Sequence, residues 1–508
     1  MSWSDGYVTD VEYTQGYYRE LSPAIIDLAL LSKGLARPAH GTVRYLELGF
    51  GQGLSLNIHA AAHEGEFWGT DFASQQTVNA RDLARAGGTG VRFENDGFTE
   101  FVRRTDLPEF DIIGIHGIYS WISDENRRAI LDIIGARLAP GGVVYVSYNC
   151  PPGWAPAAPL QHLLSLYGQA NAGQDLRTRI QGALGFAQQI GDVGSRYFAI
   201  NPQIAERLKD LQKKDWRYVA HEYFNAHWHP MPFRAVAEEM ASVRCDFAAS
   251  AHILDHMEGA NMSPAGRQLL AAQTGTVMRE TVRDYLTNQQ FRRDIYIKGG
   301  RVMKGAERNR RFAELAVIPL ARAPDVKLET TTALGKVQLR PDIYQPVIDV
   351  IWGQGYRPAS LRDLVHEPKL SRYSVDQIVE VTMTLIGTGV LAPVQTPSDG
   401  ARQRCRSLND AIRTRSLTTE DHIFLASPVV GQGVAVNRVY QTLMSAERAG
   451  RTTDGEMVDW AFNAFKGDEP FRPAPRDPAK DAEMRESLAT DLKNYREYAP
   501  LYQALELI

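Results

Sequence analysis

The chain is short of the features that mark secreted, membrane-spanning or nucleic-acid-coating proteins. Its three cysteines, Cys150, Cys245 and Cys405, are scattered and odd in number. That argues against a disulfide framework and against a cysteine-based zinc site. No apolar run reaches the roughly 18 residues that a membrane span needs. The opening MSWSDGYVTD has no basic region followed by an apolar core, so no signal peptide is expected. Neither sign of charge dominates: 56 Lys and Arg stand against 60 Asp and Glu, a net charge of −4. Binding to nucleic acid or to a membrane surface by charge alone is therefore not expected. His221, His227, His229 and His252 lie close together. His221-Glu222 is not followed by a histidine at the zincin spacing, and His227-x-His229 lacks a third ligand, so no metal is expected.

What is present is ordinary globular material, 44% hydrophobic and 23% charged over 508 residues. Such a length holds roughly two to four domains. One stretch organises it: VRYLELGFGQGLSLNIHAAA, Val43 to Ala62. A run of β-favouring residues ends in Gly49, Gly51 and Gly53, and helical character begins at Leu54. A buried strand, a glycine turn and a helix in direct succession open an α/β nucleotide-binding unit. Glycine lets a ligand approach the backbone, and the free N–H groups of the helix start face that ligand.

Further βα units follow. Strands are predicted at Phe67–Phe72, Val91–Glu94, Phe110–His116 and Val143–Tyr148, with helices at Ser74–Ala86 and Asp124–Leu138 between them. The alternation implies a parallel sheet with right-handed crossovers. Ligands in such sheets sit at the carboxyl ends of the strands. That rule selects Gly49–Gly53, Asp71, Asp96, His116–Trp121 and Tyr148–Asn149.

Gly49-x-Gly51-x-Gly53 closes one residue earlier than the dinucleotide fingerprint. Glu47 stands two places before it, and Asp71 ends the next apolar run about 20 residues on, where a ribose-binding carboxylate is expected. This pattern resembles motif I, ExGxGxG, of the class I S-adenosylmethionine (SAM) methyltransferases. The resemblance implies SAM as cofactor. Glu47, Gly49, Gly51 and Gly53 would border its amino-acid part. Asp71 would take both ribose hydroxyls, Asp96 would accept from the adenine amine, and Phe72 and Phe98 would sandwich the ring. The acceptor-site candidates are His116, Tyr119 and Trp121 after the fourth strand, and Tyr148 and Asn149 after the fifth. Aromatic faces there would favour a cationic sulfonium or ammonium.

Before this core, Tyr7, Tyr13, Tyr17 and Tyr18 precede a helix started by Ser22-Pro23, expected to pack on the sheet and to close over the cofactor. After the core, Leu160 to about Ile190 reads as one long helical insertion. A helix at Phe233–Val243 and a strand within Cys245–Ile253 are expected to complete the sheet. Residues 254–335 read as helical, with Arg292, Arg293, Lys298, Arg301 and the arginines after them as a solvated basic face. PDVKLETTTALGKVQL, from Pro324, reads as a linker or small sheet. The resulting division is 1–158 SAM-binding core, 159–215 insertion, 216–260 completion of the core, 261–335 middle region and 336–508 C-terminal unit. In that unit, helices near Ile343–Trp352, Ser360–Val365 and Ser374–Thr388 followed by VLAPV resemble a winged helix. Asp376 and Glu380 on its third helix speak against DNA binding.

Three further segments carry a narrower resemblance: IHGIYSW, SYNCPPGW (Ser147–Trp154), and Tyr218 with His221-Glu222-Tyr223. They are similar to bacterial methyltransferases with a methyltransferase regulatory domain, whose best characterised members methylate lysines of outer-membrane proteins. The resemblance implies a Rossmann-like, seven-stranded α/β core and a SAM-dependent methyltransferase, a homodimer acting on a protein lysine. An O-methyltransferase acting on a glycan or small-molecule hydroxyl, and a non-catalytic scaffold of the same fold, remain the alternatives. A soluble, cytoplasmic protein is the simplest expectation.

Overall fold

The computed structural model describes residues 16–38, 42–419, 421–466 and 478–508. Tyr7 and Tyr13 fall outside these. Seven strands form the central sheet: β1 Val43–Leu48, β2 Gly65–Thr70, β3 Arg92–Glu94, β4 Phe110–Ile115, β5 Leu138–Asn149, β6 Asp246–Ser250 and β7 Phe291–Ile297. Their order is β3-β2-β1-β4-β5-β7-β6, with β7 antiparallel to both neighbours and the rest of the ladder parallel. This is the Rossmann-like fold of the class I methyltransferases. The central strands carry apolar side chains on both faces because both faces are covered. Tyr45, Ile112, Val143 and Ile295 join one core with Leu21, Ile25 and Ile26 of the N-terminal segment. Leu46, Ile113, Val144 and Tyr296 join the other with Ile130, Ile134 and Phe233.

The helices that position the site are α1 Pro23–Ser32, α2 Leu54–Ala62, α3 Ser74–Gly87, α4 Asp124–Arg137, α5 Ala158–Ala170, α6 Leu176–Asp192, α7 Pro202–Leu211 and α8 Trp216–Tyr223. Ser123 caps α4 by accepting from the Asn126 N–H, which satisfies one of the free donors at a helix start. The expected single helix from Leu160 to Ile190 is two helices. The chain breaks at 171–175, and Asp175 starts α6 by accepting from the Thr178 N–H.

The larger correction concerns β7. Arg292 and Arg293, expected on a solvated basic face, belong instead to a strand of the central sheet, Phe291–Ile297. Ile295 and Ile297 are buried on one face. Arg292 and Asp294, on the other, are buried as an ion pair. Arg292 also bonds Asp284 and Glu280, so its charge is matched inside the protein. The strand expected within Cys245–Ile253 is β6, and it reaches the sheet only through β7.

Beyond the sheet, β8 Ala316–Pro319, β9 Ala359–Ser360 and β10 Leu391–Pro393 form a three-stranded antiparallel sheet beside helices Pro341–Trp352, Leu361–His366 and Val375–Gly387. The first of these strands precedes residue 336. A hairpin, Glu329–Thr332 with Gly335–Gln338, occupies the segment read as a small sheet. The C-terminal region shares a hydrophobic core with the first part of the chain: Leu54, Ile58 and Leu83 pack with Cys405, Leu408, Ile412 and Leu425. Among the described residues no helix is long and apolar enough to cross a membrane.

Candidate active site

The turn between β1 and α2 holds Gly49, Gly51 and Gly53 at φ of +74°, +56° and +71°. The three have different reasons to be glycine. A Cβ on Gly49 would lie 2.9 Å from Ile118 Cδ1, and one on Gly53 would lie 2.5 Å from Ala80 Cβ. A Cβ on Gly51 would meet nothing within 4 Å, so that residue presents bare backbone to open space. Asp71, just past the end of β2, clips this turn. Its Oδ2 accepts from the Gly51 N–H at 3.0 Å and its Oδ1 from the Ala73 N–H at 2.9 Å. Burial pushes its carboxyl up to about 6, with the two N–H bonds opposing. Glu47 lies below the turn, 4% exposed, and its Oε2 finds no hydrogen-bond partner among the described residues. Burial, and then the charge of Asp71, raise it to about 8, so it carries a proton at neutral pH.

These groups open into a cavity of about 480 Å³ at the carboxyl ends of the strands, a volume suited to a small cofactor. Glu47, Gly49, Gly51, Gly53, Asp71, Phe72 and Phe98 all line it. Asp96 does not: its carboxylate accepts from Arg104 at 3.1 Å and its carbonyl from the Thr70 hydroxyl.

Gln52 and Ile118 line the same cavity. His116, Trp121 and Asn149 line it, together with Trp154, Arg207, Tyr218, His221 and Glu222. Tyr119 and Tyr148, expected at the acceptor site, lie in the core instead. Tyr119 donates to Glu239 at 2.7 Å and Tyr148 to Asp294 at 2.7 Å. Each hydroxyl thus reaches a carboxylate, half-buried for Glu239 and fully buried for Asp294.

His116 reaches the cavity but is tied down. Its Nδ1 is 2.8 Å from the Tyr145 hydroxyl, and Tyr18 stacks on its ring at 3.8 Å. Burial holds its pKa down at about 3. Tyr18 itself is anchored by its backbone N–H, which donates to Ser55 Oγ at 3.1 Å. In the N-terminal segment α1 packs on the sheet, Tyr18 and Glu20 wall the cavity, and Tyr17 turns to His59 and Phe424.

Several lining residues have no site role assigned from sequence: Glu20, Arg207, Tyr218, His221, Glu222, Asn225, Gln290 and Arg293. One signal is available. Tyr218, His221 and Glu222 follow an i, i+3, i+4 spacing, which places them on one face of α8, and Asn225 lies just past its end. Arg207 and Arg293 come from distant segments and carry no such pattern. Among the described residues no cluster of three or more His, Cys, Asp or Glu side chains has the geometry to hold a metal.

The bare Gly51 backbone, the clipped carboxylate and the unpartnered Glu47 oxygen fit a nucleoside cofactor with a polar amino-acid arm. Comparison with known proteins agrees. Residues 46–142 match a family model described as a methyltransferase domain. Residues 215–298 match one described as a predicted methyltransferase regulatory domain. The chain is 36% identical over 472 residues to the uncharacterized protein sll1526 of Synechocystis, covering 92% of each. It is 26% identical over 289 residues to the uncharacterized protein RP789 of Rickettsia prowazekii, covering 56% of this chain and 51% of the other. The structure of PKMT2 from Rickettsia typhi in complex with AdoHcy superposes with a TM-score of 0.66 at 18% identity. That match covers 95% of this chain and 98% of the other, and at this identity it speaks for a common fold.

Proposed function

We propose that this chain, which belongs to the SAM-dependent methyltransferases with a methyltransferase regulatory domain, transfers the methyl group to the side-chain amine of a protein lysine. The observation that carries the reading is that one cavity is lined both by Gly51, Asp71 and Glu47 and by Trp121, Trp154 and Tyr218; we assign the first group to a cofactor lobe and the second to an acceptor lobe.

In this reading the first lobe holds the cofactor. Each Asp71 oxygen accepts one backbone N–H and retains a lone pair for a ribose hydroxyl. Gly49, Gly51 and Gly53 border the amino-acid arm with Glu47 beneath, and Phe72 and Phe98 flank the ring. Asp96, turned to Arg104, is left outside this assignment. The cofactor supplies an electrophilic methyl on a positively charged sulfur. The protein has to align the acceptor in line with it, exclude water and supply a neutral nucleophile.

The second lobe suits an amine better than a hydroxyl. A hydroxyl acceptor needs a strong general base; Glu222, raised only to about 7, is not one, and His116 is another candidate in the cavity. With its pKa near 3 and its Nδ1 held by Tyr145, it is a weak one. An amine needs only to lose the proton of its ammonium form. The resemblance to lysine methyltransferases points the same way. The test is transfer of tritiated methyl to candidate proteins, followed by acid hydrolysis and peptide mapping. Label recovered as methyl-lysine supports the reading; label on a hydroxyl or a glycan sinks it.

A further inference from the structure

We propose that Glu222 is the acceptor-binding carboxylate of this enzyme, receiving the ammonium of the incoming amine and taking up its proton as the methyl is transferred. The proposal rests on the reading of the second lobe as an amine site and names the group that makes it one.

Most of the carboxylates that line the cavity are already engaged or neutral. Asp71 accepts two backbone N–H bonds. Glu20 is held between His252 and Arg293, at 3.4 and 3.7 Å. Glu47 has an oxygen without a partner among the described residues, but it lies beneath the glycine turn, where burial raises it to about 8 and keeps it protonated at neutral pH. The cations are engaged as well. Arg207 lies 4.0 Å above the Trp154 ring and donates to the Tyr223 hydroxyl at 2.8 Å, while Arg293 faces Glu20. Glu222 differs from all of these. It sits half-buried on α8 and lines the cavity. It makes no hydrogen bond or ion pair with any described residue. A half-buried carboxylate that opens into a cavity and has no partner among the described residues is free to take a cation from outside the chain, which offsets its partial loss of water.

Its surroundings suit that cation. Trp154 and Tyr218 line the same lobe, and aromatic faces attract ammonium groups. Burial raises the Glu222 carboxyl to about 7, with Arg207 opposing. A group that titrates near neutrality can attract an ammonium when ionised and hold its proton afterwards. In the transfer, one N–H bond of the ammonium breaks and its proton passes to a Glu222 oxygen. The freed lone pair forms the N–CH3 bond while the carbon–sulfur bond opens and its electron pair returns to sulfur.

The test uses two aza analogues of S-adenosylhomocysteine. One carries a short aminoalkyl arm where the methyl would be; its twin carries a hydroxyalkyl arm. Calorimetry on the full-length protein is expected to show the amine twin bound tighter by roughly tenfold or more, an ion-pair-sized preference. Glu222→Gln is expected to abolish that preference while S-adenosylhomocysteine itself binds within about twofold of wild type. A preference unchanged in Glu222→Gln overturns the proposal, as does its absence in the wild type. If Glu222→Gln fails to fold, the wild-type preference is followed from pH 8 to 5. It should fall below pH 7 as Glu222 takes a proton, Arg207, Tyr218 and Tyr223 being the other charged or titratable groups that face it. A flat ratio overturns the proposal. Because the analogues need no acceptor protein, this result is independent of the methyl-mapping experiment. Methylation of a hydroxyl would sink the lysine reading and leave the analogue ratio to decide Glu222.

Discussion

Replacing Asp71 by asparagine is the most informative single change to the cofactor lobe, because the two side chains have nearly the same shape. The carboxylate now accepts from two backbone donors, Gly51 N–H and Ala73 N–H. An amide has one acceptor atom. One of the two N–H groups would therefore face an NH2 group, whichever way the amide turns. A hydrogen bond to a charged group contributes about 1.5–3 kcal/mol, so the free protein should lose about 2 kcal/mol of stability. Cofactor binding should suffer separately, since the amide would offer at most one oxygen to the ribose in place of two. Losing one or two charge-assisted bonds there, about 2–3 kcal/mol, corresponds to a roughly 30- to 150-fold weaker Kd. Titration calorimetry with S-adenosylhomocysteine gives the affinity and thermal unfolding the stability. Acid should imitate the substitution: Asp71 binds as the ionised form, so wild-type affinity is expected to fall as pH drops through about 6. Affinity within threefold of wild type in Asp71→Asn, with an unchanged melting temperature, would refute the placement of Asp71 against the ribose.

Three other outcomes follow from the structure. Gly49→Ala should mainly cost stability, about 1–3 kcal/mol, because its φ is +74° and its Cβ would press on Ile118; Gly51→Ala should cost about 1–2 kcal/mol in strain and lose cofactor affinity more than Gly49→Ala does, since its Cβ enters open space beside the cavity. Denaturant melts and calorimetry on the pair distinguish the two. Arg292→Met should destabilise by about 3–5 kcal/mol, because it leaves Glu280, Asp284 and Asp294 buried around a missing cation; chemical denaturation that shows less than 1 kcal/mol would refute the ion cluster. The free protein should lose stability from about pH 7 to 8. Glu47, Glu222 and Asp284 keep their protons to about 8, 7 and 7 in the folded state, while the unfolded chain has already released them, so folding takes up protons and weakens as pH rises through that range. His59, His63, His116, His256 and His422, pushed down by burial, are neutral in the folded state; the unfolded chain, whose histidines titrate at about 6.5, releases most of their protons below about pH 7, so their opposing effect fades over the same range. A melting temperature that rises steadily to pH 8 would contradict this.

The parts of the molecule that can be read from the chain are those where a local pattern and a topological rule coincide. Val43–Leu48 followed by three glycines specifies a strand and a turn whatever surrounds it, and the rule for parallel sheets then points to Asp71 and the residues after β4 and β5. The parts that resist reading depend on partners remote in sequence. Arg292 looks like a surface charge until Glu280, Asp284 and Asp294 are seen around it. Tyr119 and Tyr148 look like site residues because they follow strand ends, and only Glu239 and Asp294 reveal that they turn inward. The second lobe was half legible. The helical spacing of Tyr218, His221 and Glu222 states that they share a face, but not that they line the same cavity as His116, Trp121 and Asn149.

The helix that begins the cofactor turn also explains why the chain is so long. A helix flanking a doubly wound sheet normally shows one polar face to water. LSLNIHAAA has none, and all nine of its residues are buried. Its outer side is covered by the C-terminal region, through Cys405, Leu408 and Leu425 against Leu54 and Ile58. The same region finishes the helix. Arg404 donates to the Ala60 and His63 carbonyls at 3.2 and 2.9 Å, Gln395 donates to Ala62 at 2.8 Å, and His63 reaches the Gly431 carbonyl at 3.0 Å. A cation placed on the last carbonyls of a helix favours it through the dipole as well as through the hydrogen bonds. The glycine turn at one end of α2 is therefore held in place partly by residues some 350 positions further on. A cut at residue 335 would expose Leu54, Ile58 and Leu83 together and leave the Ala60 and Ala62 carbonyls without these partners. The C-terminal region is thus part of the wall that carries the cofactor site, and the nucleotide-binding half has no complete core without it.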